Sequence, residues 1–177
     1  MEEKEAKAAV HIITGAVNSG KTTELRRRIE KYRKLGKRPG GIITEAEWAG
    51  GRKSAFFVRR IGGKEKALVA VRKSGTPGIG STGSLSFEFC REGFDSAARW
   101  IHEACKEGVD ILCIDELGPL EIEGLGHWPA VVRAAKVFGG SMAVVVRKEL
   151  LEEFSTRFTE LGKRVIVEEV SFRGREA

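Results

Sequence analysis

Eight consecutive residues constrain the fold of this 177-residue chain more than any others. Gly15-Ala16-Val17-Asn18-Ser19-Gly20-Lys21-Thr22 reads G-x-x-x-x-G-K-[ST]. The apolar run Ala8-Ala9-Val10-His11-Ile12-Ile13 precedes it and suits a buried strand. Behind it, Thr23-Glu24-Leu25-Arg26-Arg27-Arg28-Ile29-Glu30 has helical spacing. Strand, glycine loop and helix in that order form a phosphate cradle, because backbone N–H groups turn inward at the positive end of the helix. In such a cradle Lys21 reaches the terminal phosphates and the Thr22 hydroxyl ligates Mg²⁺. The expected ligand is a nucleoside triphosphate.

The remaining pattern extends this start into an α/β sheet. A first helix is expected from Lys21 to about Leu35, with Leu25, Ile29, Tyr32 and Leu35 on one face and Gly36 closing it. Gly40-Gly41-Ile42-Ile43-Thr44 reads as a short strand. Ala55-Phe56-Phe57-Val58-Arg59-Arg60-Ile61 and Lys66-Ala67-Leu68-Val69-Ala70-Val71 flank Gly62-Gly63 as an antiparallel hairpin, and Ser84-Leu85-Ser86-Phe87-Glu88-Phe89 alternates strictly. Asp95 is expected to cap a helix that ends at Gly108, ahead of a strand at Val109-Asp110-Ile111-Leu112-Cys113-Ile114. A helix entered through His127-Trp128-Pro129, the strand Ser141-Met142-Ala143-Val144-Val145-Val146, a helix over 149–161 and a last strand over 164–168 follow. Near-continuous apolar strands between helices imply a mainly parallel sheet covered on both faces. The length fits one domain over 1–177, with about 48–90 as a β-rich elaboration of its sheet.

The acids that complete the chemistry follow the strand at 109–114. Asp115 at the carboxyl end of a parallel strand sits where ligands bind such sheets, and it is the natural Mg²⁺ partner. Glu116, one residue on, is expected to leave the strand, face the terminal phosphate, and orient and deprotonate water. A lone Asp would suit binding or kinase chemistry equally; the adjacent Glu favours hydrolysis. Arg52, Arg147 and Lys148 lie near strand ends, where they are either transition-state cations or solvated side chains. Gly78-Ile79-Gly80-Ser81-Thr82-Gly83 matches G-x-G-x-x-G but leads into no helix, so the dinucleotide reading fails and a loop remains, one that closes over the nucleotide in one reading. His11 and His102 read as structural, and Trp48 as a packed loop aromatic or a base-stacking ring.

Composition excludes several other classes. No apolar run reaches the ~20 residues of a membrane span, and Met1-Glu2-Glu3-Lys4-Glu5 lacks a signal-peptide pattern. A cytoplasmic location is expected, with Cys90, Cys105 and Cys113 as reduced core residues. The net charge is 31 − 25 = +6, and between Glu24 and Arg38 eight bases face two acids. Without stacking aromatics, that run reads as a solvated helix face rather than a nucleic-acid surface.

Several segments together resemble a known family, the nucleoside-triphosphate phosphatases first described in thermophiles, which includes a human cancer-related member. They are Gly15 through Thr23, Gly41-Ile42-Ile43-Thr44-Glu45 with Gly51-Arg52, and Asp115-Glu116-Leu117-Gly118-Pro119-Leu120-Glu121, similar to the family's Asp-Glu-Ile-Gly-Pro-Met-Glu. The resemblance implies a P-loop NTPase: a RecA-like, mainly parallel sheet with helices on both faces and an added antiparallel β portion. It also implies Mg²⁺-dependent hydrolysis of several nucleoside triphosphates (ATP, GTP, CTP, UTP) to the diphosphate and phosphate. Carried over, Gly15, Ala16, Val17, Asn18, Ser19, Gly20, Lys21, Thr22 and Thr23 bind the nucleotide. Thr22 and Asp115 hold the metal, and Glu116 with Lys21 does the chemistry. The family's Asn-Arg near the carboxyl end stands here as Phe172-Arg173, so Arg173 alone joins the nucleotide-binding set. The segment 74–83 is longer and richer in glycine than the pattern implies. A monomer without nucleic-acid partners is expected. The alternative is a nucleotide or small-metabolite kinase.

Overall fold

Periodicity decides the layers. In the computed structural model, which describes residues 8–73 and 86–171, β1 (Ala9–Gly15), β2 (Pro39–Ala49), β6 (Ile111–Leu117), β7 (Ser141–Arg147) and β8 (Arg164–Glu169) form the parallel part of the sheet. β3 (Arg52–Arg60), β4 (Lys66–Arg72) and β5 (Phe87–Phe89) extend it antiparallel, giving the order β5-β4-β3-β2-β6-β7-β1-β8. Parallel pairing runs β2–β6, β6–β7, β7–β1 and β1–β8.

Side chains alternate across each strand, and the two faces meet different helices. On one face α1 (Lys21–Lys34) buries Leu25 and Ile29 against Ile13, Ile43, Cys113, Ala143 and Val145. On the other, α2 (Arg91–Lys106), α4 (Trp128–Val137) and α5 (Leu151–Glu160) cover Val10, Ile12, Leu112, Ile114, Met142 and Val144. There Phe154 and Phe158 are fully buried beneath the Trp128 ring, with centroids 5.4 and 5.7 Å away. Each such ring contributes about 1.5–3 kcal/mol through burial.

Several boundaries depart from the sequence reading. α2 opens at Arg91, four residues before Asp95, which lies inside the helix 4.0 Å from Arg91 rather than capping it. A single turn, α3 (Pro119–Ile122), follows β6, and a 3-10 turn over Lys148–Leu150 precedes α5. α1 stops at Lys34, so Leu35 is exposed instead of packed.

The largest difference is β2, expected to be short. It pairs with β6 only over Pro39–Ile42, then runs on for seven residues to Ala49, paired with β3. At about 3.3 Å per residue, that carries the β2–β3 hairpin roughly 20 Å past its last contact with β6. Gly50 and Gly51 close it with φ of 56° and 75°, the left-handed pair that a two-residue turn between twisted strands demands. The antiparallel portion therefore overhangs the carboxyl edge of the parallel strands, where the phosphate loop begins.

Candidate active site

The loop from Gly15 to Gly20 joins β1 to the first turn of α1. Gly15 admits no side chain, since a Cβ would lie 2.6 Å from the Val170 carbonyl oxygen and 2.5 Å from Ser19 Oγ. Asn18 at φ 59° and Gly20 at φ 87° turn the backbone into the helix. Lys21 Nζ donates to the Gly15 and Ala16 carbonyls at 2.9 and 2.7 Å. Burial lowers the ammonium pKa, against the pull of the nearby Glu116 carboxylate.

Asp115 lies opposite. Alternation along β6 places Ile111 and Cys113 on the α1 face, and Asp115 follows in phase. Fully buried, it accepts from Thr22 Oγ1 at 3.2 Å and from the Thr44 backbone N–H at 3.0 Å. Burial, then the charge of Glu116, raises its carboxyl to about 7. Residues 93 apart in sequence thus place two hard oxygen donors face to face.

Glu116 does not simply leave the strand, as the sequence implied. β6 continues to Leu117, and Glu116 sits in it at φ 66°, a left-handed value uncommon for a residue with a Cβ. Pairing with β7 slips between Ile114 and Leu117. This bulge changes the phase: Leu117 joins the core on the α2 face, whereas strict alternation after Asp115 would have sent it to the α1 face. Bulges beside functional sites re-aim side chains in this way. Half-exposed, Glu116 lines the cleft, and its Oε1 lies 3.2 Å from Arg147 Nη2.

The buried Glu121 carboxylate holds the following turn, accepting from the Gly118 and His127 N–H groups at 2.9 and 3.0 Å. His127, at the entry to α4 as expected, is buried with its ring 4.8 Å from Phe94. Burial pushes its pKa down to about 4. These groups border a recess of roughly 150 Å³ behind Glu116.

The main cleft, roughly 880 Å³, is walled on one side by the phosphate loop and on the other by Arg52, Lys53, Phe56, Arg72 and Phe87. Lys53 lies 5.5 Å from the Phe56 ring centroid and Arg72 4.7 Å from that of Phe87.

The structure therefore brings Gly15, Lys21, Thr22 and Glu116 to one cleft, with Asp115 buried behind Thr22, Val17, Asn18, Ser19, Gly20 and Thr23 on the cleft wall, and Ala16 meeting the Lys21 ammonium. Arg173 and the 78–83 loop fall outside the described residues. Thr44, to which the sequence assigns no role, holds Asp115 through its backbone N–H; the signal for it is a polar residue ending an apolar strand. Trp48 is 63% exposed, not packed. His11 lies 3.5 Å from Glu168 and His102 is exposed on α2. The basic run on α1 is largely paired: Arg26 with Glu45, Arg27 and Arg28 with Glu24, Arg33 with Glu30. Cys90, Cys105 and Cys113 are free, and no cluster of three or more His, Cys, Asp or Glu suited to a metal occurs among the described residues. No helix among them is long and apolar enough to cross a membrane.

A family model described as NTPase matches residues 10–177. The chain belongs to the NTPase family. As a member it is a nucleoside-triphosphatase, and its phosphate loop, Asp115 and Glu116 all lie within the matched span. It is 32% identical to the nucleoside-triphosphatase THEP1 of Thermococcus kodakarensis, over 93% of this chain and 87% of that one. To the nucleoside-triphosphatase THEP1 of Pyrococcus abyssi it is 30% identical, over 77% of this chain and 73% of that one. The fold matches the crystal structure of THEP1 from Aquifex aeolicus with a TM-score of 0.68 at 20% identity, covering 95% of this chain and 93% of that one. It matches the solution structure of a human cancer-related nucleoside triphosphatase with a TM-score of 0.71 at 22% identity, covering 95% and 92%. The NTPase fold of this chain is thus the P-loop α/β sheet with an antiparallel portion.

Proposed function

We propose that the protein hydrolyses nucleoside 5′-triphosphates of several bases to the diphosphate and phosphate, with Mg²⁺ as cofactor. The observation that carries this reading is the convergence of Thr22 and Asp115, 3.2 Å apart, with Lys21 and Glu116 on the same cleft. The donor set fits magnesium: both oxygens are hard, and the buried Asp115 carboxyl is raised to about 7, a cost that a divalent cation relieves. Thr22 and Asp115 would hold the ion, which would supply charge neutralisation to the bound phosphates.

The chain's own residues do the rest. Backbone N–H groups from Gly15 to Thr23 cradle the phosphates, and Lys21 exchanges its carbonyl partners for phosphate oxygens. Glu116 orients a water for in-line attack and takes its proton. The water oxygen bonds to the γ-phosphorus, and the bond to the bridging oxygen breaks with its electron pair leaving on the diphosphate. Arg173 is assigned to the nucleotide-binding set from the resemblance alone. Broad base preference rests on the sequence lacking an N-K-x-D guanine reader. The relatives named above are triphosphatases, which supports hydrolysis over the kinase alternative. Free cysteines support a reducing, cytoplasmic setting, and the pairing of the α1 bases supports a protein acting without nucleic acid. We take it to be a monomer.

The test is phosphate release from ATP, GTP, CTP and UTP with Mg²⁺ and with chelator, wild type beside Glu116→Gln. Release across the panel is expected, abolished by chelator. In Glu116→Gln it should fall by at least about 10²-fold with nucleotide affinity kept. Equal turnover in Glu116→Gln would remove Glu116 from the mechanism.

A further inference from the structure

A phosphoryl group in flight spreads negative charge over its oxygens, and enzymes of this chemistry commonly meet it with a guanidinium. The sequence offered Arg52, Arg147 and Lys148 for that role and did not choose among them. Their environments separate them. Arg26, Arg27 and Arg28 follow the phosphate loop closely in sequence, yet their charges are engaged by Glu45, Glu24 and Glu168. Arg72 sits on the outer wall with its Nε donating 2.7 Å to the Lys53 carbonyl and its guanidinium over Phe87. Arg52 is exposed at the hairpin tip.

Arg147 is placed differently. In the β1–β7 ladder it is the register partner of Gly15, the first residue of the phosphate loop. Strand parity puts it on the side of that loop: Ala143 and Val145 pack toward α1, Met142, Val144 and Val146 away from it. Its Nη2 lies 3.2 Å from Glu116 Oε1, with the two side chains 32% and 36% exposed. The guanidinium therefore lines the same cleft as the phosphate loop and Glu116.

We propose that Arg147 is the catalytic arginine of this site, paired with Glu116 until a triphosphate arrives and then transferred to the γ-phosphoryl oxygens. The proposal rests on the reading of Glu116 given above. The multiply charged terminal phosphate outcompetes one carboxylate for a planar, forked donor. The exchange also frees the Glu116 oxygen to accept from water, so substrate binding itself completes the constellation. Arg147 transfers no proton and forms no bond to phosphorus; it contributes charge that the transition state feels more than the ground state does.

The experiment compares wild type, Arg147→Ala, Arg147→Lys and Glu116→Gln with ATP. It measures kcat, KM, affinity for a non-hydrolysable ATP analogue, and affinity for ADP with aluminium fluoride as a mimic of the transferred group. Arg147→Ala should lower kcat by roughly 10²–10³-fold, toward the lower end of what a catalytic arginine supplies. KM and analogue affinity should stay within about threefold while aluminium-fluoride affinity falls in parallel with kcat. Arg147→Lys should regain less than about a tenth of the loss, since a point charge does not reproduce the fork. If Arg147→Ala melts at a lower temperature than wild type, Arg147→Met, which keeps the apolar stem, carries the comparison. An unchanged or raised kcat overturns the proposal and leaves Arg147 as a restraint on Glu116. An equal loss of both affinities also overturns it, by making Arg147 a ground-state binder. An active Glu116→Gln would instead break the underlying reading of the site, so the two failures are distinguishable.

Discussion

The two walls of the cleft are built on opposite principles. The inner wall, from β1, α1 and β6, is anchored on the fully buried Asp115 and tied by short contacts: Lys21 to two carbonyls at 2.7 and 2.9 Å, Thr22 to Asp115 at 3.2 Å, Asp115 to Thr44 at 3.0 Å. The outer wall, from β3, β4 and the hairpin tip, is made of long cations lying on ring faces, with Trp48 largely exposed beside it. Phosphate geometry is invariant among nucleotides, so a preorganised wall can hold it without reorganising. Cations on flexible stems over aromatic faces give a surface that adapts to its ligand.

Substitutions on the inner wall should therefore be the costly ones. Thr22→Val, which keeps the branched shape and removes the hydroxyl, should lower Mg²⁺-dependent turnover on the order of 10³-fold, because metal placement is worth several kcal/mol. Titrating activity with Mg²⁺ checks it: a variant that turns over normally would detach Thr22 from the metal.

The seam between the walls contains His127, and here the effect is on stability. Its folded pKa of about 4 lies below the ordinary 6.5. Between those values the unfolded chain binds a proton that the folded one does not. Stability is therefore complete above about pH 6.5 and is lost as pH falls toward 4, by on the order of 3 kcal/mol in all. Glu121, whose carboxyl burial pushes up, acts with the opposite sign above the ordinary carboxylate range. Denaturant melts of wild type and His127→Phe between pH 4 and 7 isolate the histidine: the variant should flatten the dependence, and parallel curves would remove His127 as its source.

Smaller effects belong to the outer wall. Lys53→Ala should change kcat and KM by less than about fivefold, as expected for an exposed cation on a ring. A tenfold loss with every nucleotide would move this wall into the catalytic site and erase the comparison. Trp48→Ala should shift stability by no more than about 0.5 kcal/mol, the usual range for a solvent-exposed surface position. A clear drop in the thermal midpoint would mean that the ring is covered in solution.

What could be read in advance follows from the range of each interaction. The phosphate loop was legible because its chemistry is contiguous: Gly15, Lys21 and Thr22 are fixed by one turn between one strand and one helix. Asp115 was legible because an apolar run ending in an acid marks the mouth of a parallel sheet. The antiparallel hairpin was legible from its glycines and alternation. Thr44 was not, since its contact with Asp115 depends on β2 lying beside β6, a neighbourhood that no local pattern specifies. Arg147 stayed one cation among three, beside Arg52 and Lys148, until strand order set it against Gly15 and Glu116.

The sequence by itself determined the phosphate loop, the acid pair and the alternation of strands and helices, because each depends on propensities and periods within a few residues. Only the tertiary structure decided where Glu116 points and which cation faces it. A single bulge at φ 66° reverses the side-chain phase of β6, and the energy that holds an uncommon backbone angle comes from packing around it rather than from the residue itself. The overhang of the β2–β3 hairpin has the same origin. β2 outruns its parallel neighbour only because β3 supplies the backbone partners that β6 no longer offers.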